Sequence, residues 1–507
     1  MSRTQKYQLG EPVPNVPHSV VSNIPTMADV CAYEEKDPEV SSAMKQGYPR
    51  FVRHHWVHEL TDAVLAHFGL EHVFAALVYR SEGLLEMLQT LEPRIQSRAL
   101  QANVFGTDGL LLYVDQSYED SVRTLKAFVQ HSGIQVSSRN AEFGLAKMGL
   151  LSLSEECLIS DSDLEKKKAS VRSHIQEVIG AHSEEAIHLT ASGMNAFYSA
   201  FKAVQAVQRS KGRTEWIQLG WLYVDSGAIL NQYLDEEESL EVIYDPSDTE
   251  MIVERIQSSS DSLSALVIEC PTNPFCQIAD LKKIAQAVWD AGGLVIVDPS
   301  VASIYNISCL EFSDVLVTSV TKYLAYTADV MAGALALNHK SKSYDSLKKF
   351  IGQSLVPLYS LDLLRLSETT LTASARVEQM NTNCQHLARF LKDHPKVRKL
   401  YYAGANENSE AYLKHENAYG SIISVELKGS LENFYDHLQL VKGPSFGAEF
   451  TIVCPYFYLA HYDLVLDTSP ESLFGKLGID RNLIRISVGC EPIEQLIALF
   501  SEALEQA

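Results

Sequence analysis

A lysine preceded by two hydroxyl residues is the feature of this sequence best suited to chemistry. It lies in the run Ser-Val-Thr-Lys-Tyr at 319–323, directly after the apolar residues 315–317. Those apolar residues have the length and composition of a buried strand, and open α/β sheets bind ligands at the carboxyl ends of their strands. Ser319 and Thr321 could therefore donate to a phosphate. Lys322, in a dry pocket, could lose its proton and attack a carbonyl carbon; a solvated surface lysine is the alternative for this run alone.

Two further motifs follow predicted strands. Ser192, Gly193 and Met194 precede a predicted helix, and the free N–H groups and dipole of a helix N-terminus bind phosphate. The run Glu-Cys-Pro-Thr-Asn-Pro at 269–274 ends a predicted buried strand, and its prolines restrict Asn273. Each motif has an ordinary alternative, a small-residue turn in the first case and a proline-rich turn in the second.

A carboxylate also ends an apolar strand. Asp298 follows the apolar residues 294–297. A charge at the rim of a buried sheet needs a partner, and a protonated ring nitrogen would supply one; a helix N-cap or a surface aspartate is the alternative. Lys322 comes 24 positions later (322 − 298), which fits two neighbouring strands and the connection between them.

The four features together predict a site for pyridoxal 5′-phosphate (PLP). Lys322 would hold the cofactor aldehyde as a Schiff base. Asp298 would keep the pyridine nitrogen protonated, so that the ring withdraws electrons from the substrate Cα. The residues expected to hold the phosphate are Ser192, Gly193, Met194, Ser319 and Thr321. Each feature is a weak signal alone, and the prediction depends on their combination.

The bulk composition limits the other classes of function. The chain has 507 residues, a formal charge of −22, and apolar and charged contents of 46% and 21%, which indicate a soluble globular protein. Its acidity argues against nucleic acid or an anionic membrane as partner. The eight cysteines are scattered, without a Cys-x-x-Cys pair, so we expect neither zinc nor disulfides. No apolar stretch of membrane length occurs, and we expect a cytoplasmic location.

The pattern of elements predicts an α/β fold with three regions. Apolar strands alternate with helices from about residue 186, which indicates a mainly parallel sheet covered on both faces. The large α/β domain is expected at 146–345 and a smaller α+β domain at 346–507. Residues 1–145 would form an N-terminal arm, extended and lying on another surface, and an additional segment. The predicted strands are 110–114, 187–190, 217–219, 241–243, 265–268, 294–297, 315–317, 397–402, 421–427 and 483–488.

These motifs resemble those of the Cys/Met-metabolism PLP-dependent enzymes, which have the aspartate-aminotransferase fold (fold type I). The matching runs are Ala-Ser-Gly-Met at 191–194, Glu-x-Pro-Thr-Asn-Pro at 269–274, Val-Asp at 297–298, Ser-x-Thr-Lys-Tyr at 319–323 and Asp-Val-Met-x-Gly at 329–333. The resemblance covers nearly the whole chain. Within the family it is greatest to the long, fungal-type cystathionine γ-synthases, through residues 47–51 (Gly-Tyr-Pro-Arg-Phe), 130–139 and 223–226.

The resemblance implies further roles. Tyr223 would stack on the cofactor ring and take part in catalysis, and Asn273 would lie near the ring hydroxyl. Ser445 and Arg485 would bind the substrate α-carboxylate, for which a guanidinium fork is well suited; for Arg485 a surface charge on an edge strand is the alternative. Arg139 would reach the phosphate in a neighbouring subunit, which implies a homodimer or homotetramer with shared active sites.

The implied reaction is γ-replacement on an activated homoserine-type amino acid, with cysteine as the nucleophile. Departures from the family pattern occur at Ser137, where the family has Tyr, at 299–300 (Pro-Ser for Asn-Thr) and at 325–328 (Ala-Tyr-Thr-Ala for Gly-Gly-His-Ser). Three alternatives therefore stay open: γ-elimination by a cystathionine or methionine γ-lyase, γ-substitution with a non-thiol nucleophile in a specialised pathway, and a non-catalytic binding or regulatory relative.

Overall fold

A seven-stranded sheet forms the centre of the computed structural model. The structure describes residues 6–47, 52–81, 84, 87–88, 91, 97–104, 107–153, 160–406 and 408–507; most of the predicted motif at 47–51 lies outside them. The sheet has the order β4-β10-β9-β8-β7-β5-β6. Its strands are β4 Ile187–Thr190, β5 Glu215–Leu219, β6 Ser239–Ile243, β7 Leu263–Glu269, β8 Leu294–Asp298, β9 Val315–Ser319 and β10 Gly333–Leu337.

This sheet confirms the predicted fold. Strands β5 to β9 pair in parallel, and β10 is antiparallel to both of its neighbours, β4 and β9. All seven residues of β7 are buried. Alternate residues belong to two separate apolar clusters, Val267 and Ile296 to one and Leu266 and Val295 to the other. Both faces of the sheet are therefore covered, which explains why its strands are continuous apolar runs rather than alternating ones.

Helices from the predicted βα alternation cover this sheet. In chain order they are α6 Asp161–Ile179, α7 Gly193–Arg209, α8 Val224–Tyr233, α9 Thr249–Ser258, α10 Leu281–Asp290 and α11 Tyr344–Ile351, followed by α12 Ser360–Thr370. Helix α7 packs against β4 and β7 to β10 and is almost entirely buried. It begins directly after β4, so its N-terminus lies at the edge where β4 ends.

A second sheet belongs to the C-terminal region. It has the order β11-β12-β15-β14-β13, with β11 Val397–Tyr402, β12 Ile422–Leu427, β13 Val441–Lys442, β14 Ile452–Pro455 and β15 Ile484–Ser487. Its helices are α13 Ala373–Lys392, α14 Leu431–His437, α15 Tyr456–Ala460, α16 Tyr462–Leu466, α17 Leu473–Leu477 and α18 Ile493–Gln506. The sequence predicted β11, β12 and β15 but missed β13 and β14, which are two and four residues long.

The N-terminal region contributes a third, antiparallel sheet with the order β1-β3-β2. Its strands are β1 Val73–Tyr79, β2 Ser97–Val104 and β3 Thr107–Asp115, and the helices of this region are α1 Met27–Glu34, α2 Pro38–Ala43, α3 His55–Phe68, α4 Glu119–Ser132 and α5 Ser138–Lys147. Leu77 and Leu111 share one apolar cluster with Val267 of the central sheet. The predicted boundaries at 145 and 345 stay predictions.

The N-terminal arm contacts the C-terminal sheet, and the helices α1 and α2 make it less extended than the sequence predicts. Asn23 and Lys442 are each 1% exposed where the two meet. The Asn23 side chain accepts the Lys442 N–H at 2.9 Å and donates to the carbonyl oxygens of Tyr7 and Gln8. The Lys442 ammonium donates to the Pro25 carbonyl at 2.7 Å. Polar groups on both sides of this contact are thus satisfied by one another.

None of the helices within the described ranges is long and apolar enough to cross a lipid bilayer. In the same ranges, no three His, Cys, Asp or Glu side chains come together in an arrangement that could bind a metal ion.

Asn23→Ala should destabilise the protein. The substitution leaves the buried Lys442 N–H without its acceptor, so we expect the free energy of unfolding to fall by about 1–3 kcal/mol. Thermal unfolding followed by fluorescence would measure this as a lower midpoint. Asn231→Ala, at an exposed helical position, is the matched control and should leave the midpoint nearly unchanged. Equal midpoints for the two variants would contradict the assigned contact.

Candidate active site

One cavity lies at the carboxyl ends of β7, β8 and β9, opposite β15 of the C-terminal sheet. The space between its walls is about 840 Å³ when the open mouth is included. Most of the residues that the sequence predicted for the site line it together: Gly193, Met194, Tyr223, Asn273, Asp298, Ser319, Lys322, Ser445 and Arg485. Ser192, Thr321 and Arg139 lie outside this lining.

Lys322 is buried in this cavity. Its backbone follows β9, and the side chain is enclosed, with the residue 6% exposed. Its Nζ lies 3.0 Å from Ser445 Oγ and 4.9 Å from the centre of the Phe446 ring. Burial, and secondarily the positive charge of Arg485, lower the pKa of this amine to about 7. A large fraction of Lys322 is therefore neutral near pH 7, and the neutral amine is the nucleophilic and basic form.

Asp298 lies at the end of β8, beside a second carboxylate. Its Oδ1 accepts the Ser300 N–H at 2.8 Å, and burial raises its pKa to about 6. Glu269, at the end of β7, is its partner in the strand register. Glu269 belongs to the motif at 269–274, for which the sequence predicts a role only at Asn273. The signal that could have found it is the one used for Asp298, a charge that ends an apolar strand.

The start of α7 and the end of β9 form a cradle. Gly193 packs so closely on Ser319 that a Cβ at position 193 would lie 2.9 Å from the Ser319 Cβ. Ser319 Oγ is buried and has no hydrogen-bond partner in the part of the chain that the structure describes. A buried hydroxyl without a partner beside a helix N-terminus fits a phosphate group.

The hydroxyls of two predicted phosphate ligands, Ser192 and Thr321, form hydrogen bonds with the backbone. Ser192 is the N-cap of α7: its Oγ accepts the Asn195 N–H at 3.1 Å and donates to the Gly133 carbonyl at 2.9 Å. Thr321 Oγ1 accepts the Ala332 N–H at 3.0 Å and donates to the Ala332 carbonyl at 3.2 Å. These hydroxyls shape the cradle, and their contact with phosphate stays a prediction.

Arg485 projects from β15 into the opposite side of the cavity. It is 3% exposed, and its guanidinium donates to Asn273 Oδ1 and to the Ser445 carbonyl, each at 3.1 Å, and to the Pro444 carbonyl. Its Nε is buried without a hydrogen-bond partner among the described residues. A guanidinium held in this way offers a fixed cation to a carboxylate.

Tyr223 forms another wall of the cavity. It is the residue before α8, and its N–H donates to a carboxylate oxygen of Glu269. Tyr223 lines the cavity together with Phe446 and Tyr456, two aromatic residues that were not predicted for the site. An aromatic side chain is thus present at the predicted position, and its stacking on the cofactor stays a prediction.

Arg139 lies in a different cavity, near the N-terminal arm. Its guanidinium is 3.1 Å from Asp362 Oδ1 and 3.6 Å from Asp329 Oδ2, and it donates to the Asp329 carbonyl at 2.6 Å. Within its own chain Arg139 is therefore ion-paired and apart from Lys322. Its contact with a neighbouring subunit, and the oligomeric state, stay predictions.

The donor set of the main cavity fits PLP. Lys322 provides an amine of lowered pKa for the aldehyde, Asp298 a carboxylate for the ring nitrogen, and Ser319 an unsatisfied hydroxyl next to the first N–H groups of α7 for the phosphate. Tyr223 provides an aromatic face. Each of these groups matches one part of the cofactor.

Comparison with known proteins also indicates a PLP-dependent enzyme. The family model for Cys/Met metabolism PLP-dependent enzymes matches residues 165–505. The L-2-amino-4-chloropent-4-enoate dechlorinase/desaturase of Streptantibioticus cattleyicolor is 30% identical, over 98% of both chains. The cystathionine γ-synthase of Neurospora crassa is 29% identical, over 99% of this chain and 98% of its own. The alanine racemase UngC of Aspergillus violaceofuscus is 26% identical, over 100% and 98%.

Solved structures support the fold. The cystathionine γ-synthase of Xanthomonas oryzae pv. oryzae, in complex with aminoacrylate and cysteine, superposes with a TM-score of 0.57 and 20% identity, over 70% of this chain and 90% of its own. The family match covers more than half of the sequence, and it confirms the family, the fold and the cofactor that the motifs predicted. The chain belongs to the Cys/Met metabolism family of PLP-dependent enzymes.

Proposed function

We propose that the protein catalyses γ-replacement on an activated homoserine-type amino acid, with cysteine as the nucleophile, as a cystathionine γ-synthase does. The observation that carries the proposal is the buried Lys322 amine, 3.0 Å from Ser445 Oγ, in one cavity with Asp298 and Arg485. This arrangement supplies a base, a carboxylate for the cofactor ring and a cation for an amino-acid carboxylate.

The side chains divide the work of this reaction. When bound, PLP supplies an electron-withdrawing ring that makes the Cα–H and Cβ–H of an amino acid acidic. Arg485 would bind the α-carboxylate of the substrate, with Ser445 beside it. Lys322 would remove the proton from Cα, release it, and as a neutral amine again remove the proton from Cβ. Its lowered pKa permits both the release and the second removal at neutral pH. Ser445 would keep the amine on the substrate side of the cavity.

The names of two full-length relatives support chemistry at the γ-carbon. One is a cystathionine γ-synthase, and the other is a dechlorinase of a 2-amino acid that carries chlorine on carbon 4, which is Cγ. A third relative is named an alanine racemase, and racemisation is chemistry at Cα. The names of the relatives thus differ in the reaction, so the nucleophile and leaving group of this chain require a direct test.

The cavity wall favours a second candidate, γ-elimination or replacement by an uncharged nucleophile. Much of the wall is apolar, including Phe197, Phe446 and Leu459, and Lys322 and Arg485 are the basic residues among its described lining residues. Cysteine would bring a second carboxylate into the cavity, and burying it without its own cation is costly. Water or a small neutral thiol brings no second carboxylate into the cavity and so avoids this cost.

A substrate panel distinguishes the two candidates. O-acyl, O-phospho and sulfonium derivatives of homoserine would be incubated with and without cysteine, and products identified by mass spectrometry. A cystathionine γ-synthase yields cystathionine that requires cysteine, whereas a γ-lyase releases an α-keto acid without it. Absence of any γ-product with every donor would contradict both candidates.

Lys322→Ala should abolish turnover and the visible absorbance of the bound cofactor. Removal of a general base typically costs about 10²–10⁴-fold in rate, and this lysine would also provide the amine that holds the aldehyde. Steady-state kinetics and an absorbance spectrum measure the two effects. Lys349→Ala, on the helix Tyr344–Ile351 outside the cavity, should change neither; retained absorbance in Lys322→Ala would remove the central assignment.

The amine of Lys322 should react with PLP at neutral pH. Because burial lowers its pKa to about 7, the neutral fraction, and so the rate of cofactor incorporation into apoenzyme, should rise with pH to a plateau with a midpoint near 7. Stopped-flow absorbance measures this rate. For N-acetyl-lysine amide in solution, the rate of reaction with PLP should have its pH midpoint at about 10.4. A similar midpoint for the apoenzyme would show that Lys322 is not desolvated.

A further inference from the structure

Glu269 is a buried titratable group of the cavity that the reaction described above does not use. It is 4% exposed and ends a strand in which every residue is buried. One carboxylate oxygen accepts the Tyr223 N–H. The other, Oε2, is buried and has no hydrogen-bond partner in the described part of the chain. Glu269 lines the same cavity as Asp298 and Arg485.

The position of Glu269 places two carboxylates side by side. Strands β7 and β8 are parallel, and Glu269 is the register partner of Asp298, so the two side chains leave the sheet on the same face. Two carboxyl groups that lie on adjacent strands at the edge of a buried cavity cannot both be ionised near neutral pH. One of the two carboxyl groups must therefore retain a proton.

The surroundings decide which of the two is neutral. Asp298 accepts the Ser300 N–H and so has one donor that favours its anion. Burial raises the pKa of Glu269 well above its ordinary value, the charge of Asp298 raises it further, and the Tyr223 N–H and Arg485 lower it only in part. Among the described residues, the groups that act on the Glu269 carboxyl are Asp298, Arg485 and the backbone N–H of Tyr223. Their balance leaves the proton on Glu269.

We propose that Glu269 is a positioning residue that acts as a neutral acid. Its Oε1 fixes the backbone of Tyr223, its protonated Oε2 presents a hydrogen-bond donor to the cavity, and Asp298 is left as the anion for the cofactor ring. A neutral Glu269 also leaves the charge of Arg485 available to a substrate carboxylate, whereas an ionised Glu269 would compete for it. The inference rests on the cofactor of the family and on no particular γ-reaction.

The same carboxylate-to-amide change at the two neighbouring positions tests this inference. Glu269→Gln keeps an acceptor for the Tyr223 N–H and replaces the O–H donor by an N–H donor, so the dissociation constant for PLP and the visible spectrum of the holoenzyme should stay within about threefold of wild type. Asp298→Asn removes the anion and should weaken PLP binding by about 10–100-fold, as expected for loss of a charged hydrogen bond. Glu269→Leu lacks the acceptor and should weaken PLP binding by about tenfold.

Fluorescence titration with PLP, absorbance spectra across pH and unfolding midpoints would be measured for each variant, because these readouts do not depend on which substrate is turned over. Nearly unchanged PLP binding by Glu269→Gln together with weaker PLP binding by Asp298→Asn supports the proposal. PLP binding by Glu269→Gln that is weaker by tenfold or more, or nearly unchanged PLP binding by both variants, overturns it. If Glu269→Leu does not fold, the comparison of the two amides still decides. Failure of the γ-reaction assays with a normal Glu269→Gln result would contradict the proposed function alone.

Discussion

Desolvation of charged groups at the carboxyl edge of the central sheet governs this site. Lys322, Asp298 and Glu269 each end or follow an apolar strand, and burial is the largest cause of the altered pKa of all three. Desolvation disfavours a charge of either sign, so it lowers the pKa of an amine and raises that of a carboxyl group. The same burial thus gives a lysine that is reactive near neutral pH and a pair of carboxylates that share one negative charge.

The site also depends on contact between two separate sheets. Asn273 and Lys322 follow strands of the central sheet, whereas Ser445 and Arg485 belong to the C-terminal region. The bonds from Lys322 to Ser445 and from Arg485 to Asn273 cross this boundary. The loop after Lys322 is bound in the same way, because Glu449 donates to the Tyr326 carbonyl and Val20 of the arm donates to the Ala328 carbonyl. Packing of the arm and the C-terminal region therefore fixes the geometry of the lysine loop.

The fold and the cofactor of this family do not by themselves identify the reaction, because one cofactor supports many reactions. Proteins named for γ-replacement, dechlorination and racemisation all match nearly the whole chain. The identity of the reaction must then depend on what surrounds the substrate. In this chain that wall includes Phe197, Phe446 and Leu459, and the Ala325 N–H donates to the Lys322 carbonyl at 2.9 Å.

The sequence by itself determined which apolar strands are followed by residues that can do chemistry. These residues are a lysine, an aspartate and a proline-flanked asparagine. These are local patterns, and the strands Leu294–Asp298 and Val315–Ser319 confirm them. Only the tertiary structure decided how nonlocal hydrogen bonds and ion pairs are made. In the folded protein the hydroxyls of Ser192 and Thr321 bond to the backbone. Arg139 forms ion pairs with Asp329 and Asp362. The strand Gly333–Leu337 pairs antiparallel with its neighbours, and Glu269 lies beside Asp298 in the strand register. Such contacts join residues up to hundreds of positions apart, and no spacing along one chain specifies their register.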